Sequence, residues 1–114
     1  MTPDTIIGRN IQSYRVNNGF TQETIANFLG IKRELISYYE NGSREVPFNV
    51  LDRLCDLYGV DLENFYEEDE SKLKENIAIA FRTDGFENKD LETIADFKAI
   101  VKNYLKMNNL LARS

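Results

Sequence analysis

Two adjacent cations, Lys32 and Arg33, followed by Glu34, are the residues of this chain whose chemistry is easiest to assign. Arginine and lysine donate hydrogen bonds to guanine O6 and N7, and glutamate accepts one from cytosine N4. The same residues open a predicted short helix, and helix amino termini favour phosphate oxygens. Their chemistry would therefore be contact with base edges and phosphates.

Catalytic and metal-binding side chains are scarce in this sequence. One cysteine and no histidine leave out a disulfide framework, the usual zinc sites and histidine-based triads. The acidic run from Glu67 to Glu70 could in principle hold a divalent cation or perform acid–base work. Adjacent acids without an opposed partner are, however, typical of a solvated linker. We therefore expect a protein that is not an enzyme and that uses no metal and no cofactor.

Length and composition indicate an ordinary globular protein. The 114 residues, 42% of them hydrophobic, suffice for one compact domain or for a smaller domain with an extension. The amino-terminal stretch MTPDTIIGRN has no basic segment followed by an apolar run, and no apolar run is long enough to cross a membrane. We therefore expect a cytoplasmic protein.

Five short helices are predicted in the first 66 residues, and no stretch resembles a strand. Thr2 and Thr21 can cap the first two helices, and Gly30 can end the second in a left-handed conformation. Apolar residues recur at helical spacing within each segment, and Cys55 lies on the buried face of the fourth helix, where a packed thiol is expected. The predicted bounds are Thr2 to Asn18, Thr21 to Gly30, about 33 to 41, Pro47 to Gly59, and Asp61 to Phe65.

The remainder of the chain divides into an acidic linker, residues 67–72, and a helical extension, residues 73–114. Its longest predicted helix runs from about Asn88 to Leu111, a rod of roughly 33 Å at about 1.5 Å per residue. Such a rod is too long for a core of this size to cover along its whole length, so we expect a second copy of the chain to cover the rest. The predicted dimerisation stripe consists of Leu91, Ile94, Phe97, Val101, Tyr104 and Leu111.

The second and third helices have the pattern of a helix-turn-helix: a capping threonine, the small Ala26 where the helices cross, Gly30 in the turn and Ile36 as an anchor. The sequence closely resembles the phage repressor and Cro-like family, also called the xenobiotic-response-element family, over residues 6–66. The matching positions are Thr21-Gln22, Ile25-Ala26, Leu29-Gly30-Ile31, Ile36-Ser37, Glu40-Asn41-Gly42, Pro47, Leu51, Leu54 and Leu57 to Val60. The resemblance implies an all-α fold, in which residues 1–66 form a lambda-repressor-like five-helix DNA-binding domain.

The resemblance also implies roles for individual residues. Lys32, Arg33, Glu34, Ser37 and Tyr38 would face the major groove, Gln22 would contact a phosphate, and Asn41, Ser43 and Arg44 would contact the DNA backbone. Arg15 and Glu40 match a charged pair that ties the first helix to the end of the third. The implied partner is a double-stranded palindromic operator bound by a homodimer.

Three positions depart from the family pattern or admit two interpretations. Lys32 stands where relatives place serine or threonine, so helix three should lack its side-chain cap. Leu35 could touch a thymine methyl group or fill space against helix two. Tyr38 could contact DNA or lie along the surface of the protein. The loop before Pro47 is also one residue longer than usual.

Two functions remain open after these observations. The first is a sequence-specific transcriptional regulator, which we expect to be a repressor. The second is an antitoxin or protein-interaction module whose last helix binds a toxin or an antirepressor peptidase, since the tail also resembles regulators from phages and mobile elements of Gram-positive bacteria. Residues 1–66 contain 6 Lys+Arg and 9 Asp+Glu, so DNA binding would depend on the local field of a few cations.

Overall fold

The computed structural model describes residues 2–81 and 91–112, and the side chains of residues 2–78 and 91–106. Every regular element in these ranges is helical, which confirms the predicted all-α class. The elements are α1 (Pro3–Asn17), α2 (Gln22–Leu29), α3 (Arg33–Glu40), α4 (Phe48–Tyr58), a 3₁₀ helix (Leu62–Tyr66), α5 (Glu70–Phe81) and α6 (Leu91–Ala112). The predicted cap Asn88 and the side chain of Leu111 lie outside the described residues.

Local capping chemistry determines where the first helices begin. The Thr2 hydroxyl accepts a hydrogen bond from the Thr5 N–H (3.3 Å), and the Thr21 hydroxyl accepts one from the Thr24 N–H (3.1 Å). Both caps were expected from the sequence. The missing cap of α3 was also expected, because Lys32 occupies its N-cap position and makes no side-chain capping bond.

A buried asparagine fixes the 3₁₀ helix to α1. The Asn10 side chain is 0% exposed, and its amide donates to the carbonyl oxygens of Phe65 (2.8 Å) and Glu67 (2.9 Å). The Arg9 guanidinium donates to the Glu67 carbonyl as well (2.8 Å). Two neighbouring side chains of α1 therefore hold the start of the predicted linker against the domain.

The predicted acidic linker, residues 67–72, is partly helical. The Asp69 carboxylate accepts from the Ser71 N–H (2.8 Å), which is a cap, and α5 begins at Glu70. The acidic run thus combines a short loop with a helix start, where negative charge is favourable.

The hydrophobic core includes residues from both the front of the chain and its extension. Its centre is aromatic: the Tyr14 ring lies 5.4 Å from the Tyr58 ring and 5.4 Å from the Phe65 ring, measured between centroids. Leu73 from α5 and Ala95 from α6 belong to the same cluster of buried residues. The extension is therefore packed as part of one core.

The first half of α6 packs on α4 of its own chain. Ala95 is 0% exposed, and Leu91 and Ile94 are partly buried against the core. Farther along, the Lys102 ammonium donates to the Val60 carbonyl (3.2 Å). The core thus covers part of α6, where small and long-stemmed polar residues make the contact alongside the apolar ones. The predicted cover by a second copy concerns the remaining part of the helix.

The outer side of α6 remains uncovered by described residues of the chain. The exposed apolar side chains there are Phe97 (49%), Ile100 (67%), Tyr104 (63%) and Leu105 (55%). Of the predicted dimerisation residues, Leu91 and Ile94 pack inward, Val101 is half-buried, and Phe97 and Tyr104 lie outward. None of the described helices is long and apolar enough to traverse a lipid bilayer.

Candidate DNA-binding surface

The turn between α2 and α3 has the geometry that the sequence predicted. Gly30 adopts a φ of 71°, in the left-handed region that glycine tolerates best. The following Ile31 N–H then donates to the Ala26 carbonyl (3.0 Å), which closes the end of α2. Ala26 and Ile36 are each 2% exposed, so the two helices are anchored against the core where they cross.

The nine predicted DNA-binding residues lie at the start of α2, along α3 and in the loop after it. Seven of them are exposed, and Gln22 and Ser37 are half-buried. Side-chain contacts join the three segments, because Arg33 contacts Gln22 and Arg44 contacts Tyr38. The exposed members are Lys32, Arg33, Glu34, Tyr38, Asn41, Ser43 and Arg44.

Beneath this surface lies the predicted pair between Arg15 and Glu40. The Arg15 guanidinium donates twice to the Glu40 carboxylate, at 2.7 and 3.0 Å, and the two side chains are only 12% and 3% exposed. The hydrogen bond to Glu40 raises the pKa of Arg15 above its ordinary value. A bidentate, shielded pair of this kind fixes α1 to the end of α3.

Gln22 extends this pair to the surface. Its amide nitrogen donates to the Glu40 carboxylate (3.0 Å), and its amide oxygen accepts from the Arg33 guanidinium (3.1 Å). The sequence predicted only a phosphate contact for Gln22. In the structure both ends of its amide are engaged within the protein, and they connect a buried ion pair to an exposed arginine.

The cations of the surface differ in how far their charge is compensated. Arg33 lies 3.9 Å from the Glu34 carboxylate, measured between nitrogen and oxygen. Lys32 and Arg44, by contrast, have no ion pair with any residue in the described ranges. Their uncompensated charge makes them the stronger local attraction for phosphate.

Leu35 and Cys55, for which the sequence raised a functional alternative or a reactive group, have structural roles. Leu35 is half-buried and packs against the core, which favours the space-filling interpretation. Cys55 is 3% exposed, and burial raises the pKa of its thiol to about 12. A protonated, buried thiol is inert at neutral pH, in keeping with the predicted packed cysteine.

Gly8 allows close packing beneath the surface, a role that was not predicted from the sequence. A Cβ atom at this position would lie 2.3 Å from the Tyr39 carbonyl oxygen and 2.7 Å from that of Glu40. Glycine therefore lets α1 approach the end of α3 closely enough for the buried pair to form. A glycine in the interior of a helical segment was the available signal, because it weakens a helix unless packing requires it.

Comparison with known proteins agrees with this geometry. The family model described as a helix-turn-helix domain matches residues 6–65. Antitoxin PezA of Streptococcus pneumoniae is 36% identical over 64 residues, which is 56% of this chain and 40% of the relative. No solved structure gave a significant match.

Two further relatives are regulators from phages. A prophage-derived uncharacterized HTH-type transcriptional regulator of Bacillus subtilis, YonR, is 31% identical over 58 residues, or 51% of this chain and 54% of the relative. The cryptic phage CTXphi transcriptional repressor RstR of Vibrio cholerae is 25% identical over 72 residues, or 63% of this chain and 65% of the relative. The chain spans less than two thirds of the length of each of these relatives. The match of the family model over more than half of the chain shows that the chain belongs to the helix-turn-helix domain family.

Proposed function

We propose that the protein is a sequence-specific DNA-binding transcriptional regulator that represses by occupying an operator with α3. The observation that carries this proposal is the exposed amino-terminal part of α3, where Lys32 and Arg33 project from a helix held by the buried Arg15 and Glu40 pair. A rigidly held helix with cations at its start is suited to the major groove. The similarity to the regulator YonR and the repressor RstR supports the same role, and such a protein would work in the cytoplasm.

The residues of this surface fall into two proposed groups, one that contacts base edges and one that contacts phosphates. Arg33, Glu34 and Ser37 are proposed to reach base edges, and Lys32, Gln22 and Arg44 are proposed to approach the flanking backbone. Contacts to phosphate fix the register of a protein on DNA, and contacts to base edges carry the sequence information. Substitutions in the two groups should therefore have different effects on preference and on salt dependence.

Selection of bound duplexes from a random DNA pool tests this proposal. We expect the wild-type protein to enrich a two-fold symmetric motif, and the Lys32→Ala/Arg33→Ala variant to lose it. Lys72→Ala and Lys74→Ala together serve as a matched control, because both lysines are exposed on α5 and the net charge changes equally. A motif that survives Arg33→Ala unchanged would contradict the assignment of α3 as the reading helix.

We further propose that the regulator is a homodimer whose copies meet along the outer side of α6. Ile100 and Tyr104 are 67% and 63% exposed, and they lie one turn apart on the face opposite Ala95. The lysines that could repel a second copy, Lys102 and Lys106, are turned toward Asp56 and Asp61 of their own chain. An exposed apolar pair on one face of a helix suits self-association about a two-fold axis.

A dimer of this form would place two copies of α3 in successive major grooves. The half-sites of a palindromic operator should then lie about 34–36 Å apart. Because α6 and α3 both pack on one core, a dimer contact on α6 would fix the distance between the two copies of α3. The long helix would thus determine the spacing of the half-sites.

Light scattering of point variants tests the dimer. We expect Ile100→Asp to lower the measured mass toward that of a monomer, because it introduces a charge into the contact. Val16→Asp is the control, since Val16 is a similarly exposed apolar residue (56%) on α1. Deleting residues 88–114 would be a poorer test, because it would also uncover α4. A dimer that tolerates Ile100→Asp would refute this contact.

The second candidate function is that of an antitoxin, favoured by the 36% identity to PezA. In that case the outer side of α6 would bind a toxin or a peptidase, and DNA binding would be secondary. The wild-type protein alone would then be a monomer by light scattering, or a dimer unaffected by Ile100→Asp. Either result, combined with the absence of a selected DNA motif, would favour the interaction module.

A further inference from the structure

We propose that Tyr38 acts in DNA binding through Arg44, as a positioning residue that holds the guanidinium in place for a phosphate contact. The inference rests on the proposed function and deepens it, since family resemblance places Tyr38 in the groove as a direct contact. Two independent sets of contacts in the structure join Tyr38 to Arg44.

The first contact is between side chains. The guanidinium carbon of Arg44 lies 5.0 Å from the centroid of the Tyr38 ring, within the distance of a cation–π interaction. Tyr38 is 42% exposed, so the pair sits at the protein surface. An arginine that stacks through its flat face keeps the N–H donors at its edge available for other acceptors.

The second contact is between main chains. The Tyr38 carbonyl oxygen accepts hydrogen bonds from the N–H groups of Ser43 (3.0 Å) and Arg44 (3.4 Å). The Asn41 side-chain oxygen also accepts from the Ser43 N–H (2.8 Å), which tightens the loop. The backbone and the side chain of Arg44 are thus both held by the same residue of α3.

The charge of Arg44 is left for an external anion. No carboxylate in the described part of the chain forms an ion pair with it. A long side chain ordinarily loses rotamer entropy when it binds a phosphate, and stacking on a ring reduces that loss in advance. Tyr38 should therefore increase affinity for DNA of any sequence, without selecting among bases.

Substitution of the ring tests this role. We expect Tyr38→Leu to weaken binding to the selected operator and to a scrambled duplex by the same factor, about twofold to fivefold, the size of an exposed cation–π contact. The selected motif should stay unchanged. Tyr38→Phe keeps the ring and should bind as the wild type does, which makes it the conservative control. Urea unfolding of each variant verifies that the fold is retained.

A double-variant cycle separates action through Arg44 from direct contact. Arg44→Gln should reduce the slope of log affinity against log salt by about one phosphate contact. In the Arg44→Gln background, Tyr38→Leu should cause no further loss. The coupling free energy of the two substitutions would then nearly equal the loss that Tyr38→Leu causes in the wild-type background.

Three outcomes would overturn the proposal. If the loss from Tyr38→Leu persists in the Arg44→Gln background, or if Tyr38→Leu alters the selected motif, Tyr38 contacts the bases itself. If Arg44→Gln leaves affinity and salt slope unchanged, Arg44 makes no phosphate contact to be positioned. These outcomes differ from failure of the proposed function, in which the folded wild-type protein would bind no duplex at all.

Discussion

Arg15→Met should strongly destabilise the protein, because it removes two of the three side-chain hydrogen bonds that the buried Glu40 carboxylate receives. Glu40 is 3% exposed as a side chain, and after the substitution only Gln22 would still donate to it. Leaving one partner of a buried pair uncompensated costs about 3–5 kcal/mol. At a urea dependence of about 1.5 kcal/mol per M, within the range usual for small proteins, this corresponds to a midpoint lower by roughly 2–3 M.

Equilibrium urea unfolding, followed by circular dichroism, measures the effect. Lys72→Met is the matched control, since it removes one positive charge from an exposed side chain (66%) that lies 4.0 Å from a Glu67 oxygen. We expect its midpoint to be nearly unchanged. Arg15→Met/Glu40→Leu should regain most of the lost stability, because no charge is then buried without a partner. The reasoning is refuted if Arg15→Met behaves like Lys72→Met, or if the double variant is as unstable as Arg15→Met alone.

Three further substitutions or conditions test the packing. Gly8→Ala should lower the free energy of unfolding by about 1–3 kcal/mol, since its Cβ would meet the Tyr39 carbonyl oxygen at 2.3 Å; a neutral result in urea unfolding would show that α1 can shift freely. Asn10→Asp would replace an amide donor with a carboxylate facing the Phe65 carbonyl oxygen, and a loss of about 1–3 kcal/mol is expected, measured as the urea midpoint and partly regained on acidification. Burial raises the pKa of the Cys55 thiol from 9.0 to about 12 and that of the Tyr14 hydroxyl from 10.0 to about 12. The stability that these protonated groups contribute together is complete below pH 9 and is lost as the pH rises toward 12, and urea midpoints that stay constant from pH 8 to 11 would contradict this.

Elements with local signals could be predicted from the sequence. Threonine caps, a left-handed glycine and apolar residues at helical spacing are signals that lie close together along the chain. The predicted ends of α1 to α4 therefore differ from the observed ends by about one residue. The missing cap at Lys32 was equally visible, because capping depends on a single side chain. The pair of Arg15 and Glu40 was available only through family resemblance.

Contacts that depend on long-range packing were not visible in the sequence. Helical periodicity identified the apolar stripe of α6 but could not show that Ala95 is the most deeply buried of the described side chains of this helix. Gln22 likewise reads as a surface residue, and only the fold brings its amide between Glu40 and Arg33. Spacing along the chain carries no information about which side chains from separate helices meet.

The scarcity of uncompensated cations on the candidate surface has a consequence for how the protein would search a genome. Nonspecific affinity for DNA grows with the number of phosphates that a protein neutralises, and residues 1–66 carry a net charge of −3 from 6 Lys+Arg and 9 Asp+Glu. Random sequence, which outnumbers an operator by about a millionfold or more, would therefore retain few copies of the regulator. A larger share of the molecules would then be free in solution between encounters with an operator.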